Sequence, residues 1–161
     1  MTNNDPYWKL KPPSPTPDDE LCSCLGDPAV VLQPHLSCNP ISCADCNLEV
    51  PPERLGFSEQ LADELASWRT FHDCFFHLWL DSAEFEAWAK SQLFDPQSPV
   101  NTRGLALRQS LAECRPCYYW WFLDTDAEDF QQVSMCPRCK RNLSSRGSRS
   151  VCEDCWIIVA N

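Results

Sequence analysis

A chain of 161 residues is close to the size of one domain, and a hydrophobic content of 43% suffices for a core. Asp and Glu outnumber Lys and Arg by 23 to 13, a formal charge of −10, which argues against a protein that coats nucleic acid, because neutralising phosphates takes clustered cations. Twelve cysteines point to a cysteine-built scaffold, and no apolar run approaches the roughly 18 residues of a membrane span.

Residues 1–20 are polar and Pro-rich, with Pro12, Pro13, Pro15 and Pro17 close together, and are expected to form a flexible arm. They hold no apolar stretch of the kind a secretory leader uses, so a cytoplasmic location is expected. Ten of the fourteen prolines fall within the first 52 residues, which predicts loops and short strands there, Ala29–Leu32 among them. At Ser58 the pattern changes. Ser58 can cap a helix whose face carries Leu61, Leu65, Trp68, His72, Phe75 and Trp79 at alternating steps of four and three. Asp81, with Glu84 three residues on, suggests a second helix with Phe85, Trp88 and Leu93 on its buried face. Asp95-Pro96 and Ser98-Pro99 should break the chain before a third helix over 103–113. Cys117-Tyr-Tyr-Trp-Trp-Phe-Leu123 reads as a buried strand, and Trp156–Val159 as another.

Eight of the cysteines form four C-x-x-C pairs: Cys43/Cys46, Cys114/Cys117, Cys136/Cys139 and Cys152/Cys155. Two intervening residues let a tight turn aim both sulfurs at one ion, and tetrahedral thiolate sites favour Zn2+. Cys136, Cys139, Cys152 and Cys155, spaced C-x2-C-x12-C-x2-C, suit a closed C-terminal zinc ribbon over residues 130–161. Cys43, Cys46, Cys114 and Cys117 are nominated for a second zinc site within a loop and helical domain at 21–123. Cys22, Cys24, Cys38, Cys74, His35, His72 and His77 stay open as replacements for any of them. His72 lies on the apolar stripe and Cys74 on the same helix, which favours a core imidazole and a small buried thiol over catalytic roles. The expected architecture is therefore α+β, a small zinc-binding protein: a central helical segment, a short aromatic strand and a C-terminal zinc ribbon.

The tail, Cys117-Tyr-Tyr-Trp followed by Cys136-Pro-Arg-Cys139 and Cys152-Glu-Asp-Cys155-Trp156, resembles small uncharacterised bacterial proteins described as zinc-ribbon-containing, for which nucleic-acid binding has been suggested. The resemblance spans roughly the last 45 residues and implies metal binding at the four C-terminal cysteines.

Charge divides unevenly. Residues 1–135 carry 8 basic and 21 acidic side chains, whereas 136–155 carry Arg138, Lys140, Arg141, Arg146 and Arg149 against Glu153 and Asp154. An acidic body suits a basic protein partner, as in an inhibitor or immunity-type protein. The basic tail is where a nucleic-acid contact would have to lie. Four thiolates leave a zinc ion no open position, and the chain has no HExxH motif and no phosphate-cradling glycine loop, so a non-enzymatic role is expected.

Overall fold

The computed structural model describes residues 5–34, 37–128 and 130–159. It is an α+β fold in which three helices pack on a six-stranded mixed sheet. The strands are β1 (Val30–Leu32), β2 (Ile41–Cys43), β3 (Cys117–Trp121), β4 (Ser144–Arg146), β5 (Arg149–Cys152) and β6 (Ile157–Val159), in the spatial order β2-β1-β3-β6-β5-β4. β3 runs parallel to both β1 and β6, while β2, β5 and β4 are antiparallel to their inner neighbours. The segments expected as separate units, 21–123 and 130–161, thus share one sheet.

The central strands are buried on both faces, which is why they read as unbroken apolar runs. On one face Tyr119 and Trp121 meet the helices, and the Tyr119 ring lies 5.9 Å from that of Trp68. On the other, Tyr118 joins Val31, Val151 and Ile158, with Trp156 5.1 Å away. Tyr118 is therefore core, covered from that side by Ala29, Ala44 and Trp156.

Helix α1 (Glu59–Asp81) starts as expected, with the Ser58 hydroxyl accepting a hydrogen bond from the Leu61 N–H at 3.2 Å. Leu61, Leu65, Trp68, His72 and Phe75 are all buried on its inner face. Full burial of Leu65 and Trp68 contributes roughly 2–3 kcal/mol each. Two boundaries differ from expectation. Asp81 ends α1 rather than starting the next helix; Ala83, at φ 52°, turns the chain, and α2 (Glu86–Phe94) begins five residues later. The turn rotates the helix phase, so Leu93 is buried but Phe85 and Trp88 are half exposed. Helix α3 runs from Pro99 to Ala112, because Ser98-Pro99 initiates rather than breaks: Ser98 accepts from the Asn101 N–H, and Pro99 occupies the first turn, where its missing N–H costs nothing. Gly104 sits within α3 because Tyr119 needs the space. A Cβ there would lie 2.4 Å from the tyrosine ring, which is itself held by a hydrogen bond from its hydroxyl to Asn101 Oδ1.

Residues 5–20, expected to form a free arm, lie against the body. Leu10 is fully buried, the Tyr7 hydroxyl donates to the Phe57 carbonyl at 2.7 Å, and Lys9 pairs with Asp63 of α1. Composition concealed this because the anchors are single residues between prolines. No helix among the described residues is long and apolar enough to cross a membrane.

Candidate metal centres

The strand registers bring the cysteines to one end of the sheet. Val30 of β1 pairs with both Cys43 and Cys117, and Cys152 pairs with Ile157, the first residue of β6. The end from which β1, β3 and β6 start is therefore the end at which β2 and β5 stop. Two groups of four sulfurs assemble there.

The C-terminal group is Cys136, Cys139, Cys152 and Cys155, and the N-terminal group is Cys22, Cys24, Cys43 and Cys46. Within each, all four sulfurs lie within 4.8 Å of one another. Zinc–sulfur bonds of about 2.3 Å in a tetrahedron separate the sulfurs by roughly 3.8 Å. The Cys139 and Cys152 sulfurs stand 3.6 Å apart. The donor sets therefore fit a metal ion, consistent with zinc. All twelve cysteines are free thiols.

Three of the C-x-x-C turns share one backbone device. In the first, the Asn47 N–H returns to the Cys43 carbonyl and the Cys43 N–H reaches the Leu48 carbonyl. In the second, the Lys140 N–H returns to the Cys136 carbonyl and the Cys136 N–H reaches the Arg141 carbonyl. The third joins β5 to β6 through Cys152–Cys155. In each, the residue after the second cysteine has a positive φ: Asn47 at 62°, Lys140 at 62° and Trp156 at 53°. Amides inside the turn aim at sulfur, and the Asp45 N–H lies 3.4 Å from Cys43 Sγ.

Electrostatics make each group ask for a cation. A hydrogen bond from the Arg141 backbone N–H is the main cause that brings the Cys139 thiol down to about 7. Burial opposes ionisation of Cys22, but hydrogen bonds from the Cys24 amide and the neighbouring thiols outweigh it and its pKa falls. Burial is the main cause that raises the thiols of Cys43, Cys46, Cys152 and Cys155. At Cys24 a hydrogen bond from Cys46 is outweighed by burial and the charges of Cys22 and Cys43, so its pKa rises too. Adjacent thiolates repel one another, and a divalent ion among them takes up that charge.

The N-terminal group differs from the nominated one. Cys43 and Cys46 are in it, but Cys114 and Cys117 are not; Cys22 and Cys24 stand in their place. Pro116 explains part of this. It occupies the position equivalent to Asp45 and has no N–H to give a sulfur. Cys117 is followed by strand rather than by a left-handed residue, and burial pushes its thiol up to about 12. Cys114 is exposed at the end of α3. The intervening Arg115 still serves the site, pairing with Asp27 and donating to the Arg54 carbonyl, while Arg54 holds the Cys22 carbonyl at 2.5 Å and the Cys24 carbonyl at 3.3 Å. Cys22 reaches the group because its N–H bonds the Glu49 carbonyl, which ties residues 21–22 to the chain just after Cys46. The sequence signal for this was the Cys22-Ser-Cys24 spacing.

The other candidates stand apart from both groups. His72 is buried, packed 5.6 Å from Trp68, and burial pushes its imidazole down to about 4. His77 faces Asp81 on the exposed side of α1. Cys74 is exposed on α1, contrary to the expected buried thiol, and Cys38 is intermediate. His35 lies outside the described residues.

The basic tail turns inward. Arg146 pairs with Asp45, inside the Cys43–Cys46 turn, at 2.8 Å, and its guanidinium lies 5.4 Å from the Tyr118 ring centre. Tyr118 donates in turn to Glu153, inside the Cys152–Cys155 turn, at 2.7 Å. Burial of Arg149 lowers its pKa, and the charges of Cys43 and Cys46 in the N-terminal group partly offset this. Arg141 pairs with Asp154 at 2.6 Å. The β4–β5 hairpin thus lends its cations to the N-terminal cysteine group, while Arg141, just before β4, serves the C-terminal one.

No family pattern, curated protein or solved structure matches the chain. The two four-cysteine groups are consistent with zinc-ribbon-like sites, and the resemblance noted for the tail rests on them alone.

Proposed function

We propose that the chain is a non-enzymatic, zinc-stabilised interaction module, with a zinc ribbon over residues 130–161, that binds a basic protein partner in the cytoplasm. One observation carries the reading: Arg141 and Arg146 of the basic segment pair with Asp154 and Asp45 inside the cysteine turns, while residues 1–135 carry 21 acidic against 8 basic side chains. Two closed four-thiolate sites supply structure and leave no coordination position for substrate. A reducing compartment suits twelve free thiols. Each zinc tetrathiolate adds a net −2, which takes the chain from −10 to about −14 and strengthens long-range attraction to a cationic surface. An inhibitor or immunity-type role is one form of this function.

The alternative, a nucleic-acid-binding zinc ribbon, draws support from the five cations of residues 136–149. It requires the arginines that the fold spends on Asp45, Asp154 and the thiolates. The deciding experiment is affinity capture from the native host at physiological salt with identification of what is retained, alongside gel retardation of DNA and RNA at low salt. Capture of a basic protein without retardation is the expected result. Retardation that disappears on charge reversal of Arg141, Arg146 and Arg149, with no protein captured, would reverse the assignment.

A further inference from the structure

Among the described residues, the large apolar side chains left exposed concentrate at the corner between α1 and α2. Leu80, Phe85 and Trp88 are exposed by 57, 52 and 52%. The corner is a built surface. Ala83 turns the chain at φ 52°, and the Ser82 hydroxyl accepts the Phe85 N–H at 3.1 Å. The Trp88 ring lies 5.5 Å from that of Phe75, which packs into the cluster of Leu93, Val100 and Phe122. Trp88 is thus a preset anchor, half in the core and half in solvent.

Its charge is equally one-sided. Leu80–Trp88 carries Asp81, Glu84 and Glu86 and no cation. Asp73 and Asp81 of α1 have partners in Arg69 and His77, whereas Glu84 and Glu86, on either side of Phe85, have no ion-pair partner among the described residues.

We propose that this corner docks a basic amphipathic segment of a partner protein, its apolar residues against Phe85 and Trp88 and its Lys or Arg side chains on Glu84 and Glu86. The proposal rests on the basic-partner reading above and gives it a location. Aromatic faces and carboxylates attract the same cations, and Trp is the residue type most enriched among binding hot spots. A second copy of the chain would bring like charges together, and anionic lipid or nucleic acid would meet the same repulsion.

The test uses three labelled peptides against the full zinc-loaded chain: a Leu/Lys amphipathic helix, its Leu/Glu twin, and a Ser/Lys peptide of equal charge without an apolar face. Binding is read by fluorescence anisotropy. The Leu/Lys peptide should bind at least about tenfold more tightly than either control, and should lose about tenfold against Phe85→Ser/Trp88→Ser and against Glu84→Lys/Glu86→Lys. All four side chains are exposed, so both variants should keep their zinc content and circular dichroism, and either alone decides. Unchanged affinity for both variants would overturn the surface while leaving a basic partner in place. Leu/Lys binding no tighter than the Leu/Glu twin would overturn the surface and the basic-partner reading together.

Discussion

Cys114 sits in a C-x-x-C pair and Cys24 in a C-x-C, yet it is Cys24 that the fold uses. Cys24 belongs to the N-terminal sulfur group, and Cys114 lies exposed beyond α3. Elemental analysis of protein purified without added metal is expected to give two zinc ions per chain for the native protein and for Cys114→Ser, and one for Cys24→Ser. A loss of zinc in Cys114→Ser would mean that the two pairs exchange roles in solution. His72 supplies a second residue-scale test. Burial holds its imidazole near 4, below the ordinary 6.5, so the unfolded chain takes up the proton first. Its contribution is therefore intact above about pH 6.5 and is lost as pH falls towards 4, amounting to about 2 kcal/mol by pH 5. Urea midpoints at pH 7 and pH 5 should converge by that amount between the native protein and His72→Phe. A constant difference between them would show that His72 is not the titrating group.

The hairpin β4–β5 acts on elements far from it in sequence. Arg149 belongs to β5; burial disfavours its charge, and Cys43 and Cys46 of the N-terminal group oppose that effect. Arg149→Ala should therefore weaken the N-terminal ion while sparing the C-terminal one. In a stepwise chelator competition the first zinc released should come off several-fold more readily than in the native protein, and Arg149→Lys should restore most of the loss. Equal weakening of both ions would show a general loss of packing. How much was legible in the sequence also divides by element. The Ser58 cap, the inner face of α1, the aromatic strand and the C-terminal sulfur group could be read because each depends on residues near one another in the chain. The N-terminal group could not be assigned by spacing alone. Its completion depends on the Cys22 N–H meeting the Glu49 carbonyl, and on Pro116 withholding an N–H from the competing pair. The start of α2 was missed because Ala83, an ordinary helix former, adopts a left-handed conformation that its identity does not announce.

Across the whole molecule the two proposed zinc ions close the same end of one sheet, one at either side of the parallel core. Cys43 of β2 and Cys152 of β5 each belong both to a strand and to a sulfur group, so metal ligation and sheet pairing should form a single cooperative unit. Calorimetry is expected to show one sharp transition for the zinc-loaded chain and none after a strong thiol-competent chelator has removed both ions. A surviving cooperative transition in the stripped protein would mean that the helices and sheet hold without metal. The acidic balance acts at this scale too, since it belongs to the summed surface rather than to any one site.

The position of β6 governs the order in which this chain can be built. Residues 157–159 sit between β3 and β5, so the innermost pairing of the C-terminal half is made by the last strand in chain order. During synthesis β1 can meet β3 early, but the β4–β5 hairpin can join the sheet by strand pairing only once residues 157–159 have emerged. Until then the cations it carries and the thiolates they serve remain apart. A break in the reading frame just before Ile157 would therefore do more than shorten the protein: it would leave two half-sheets with no strand to join them.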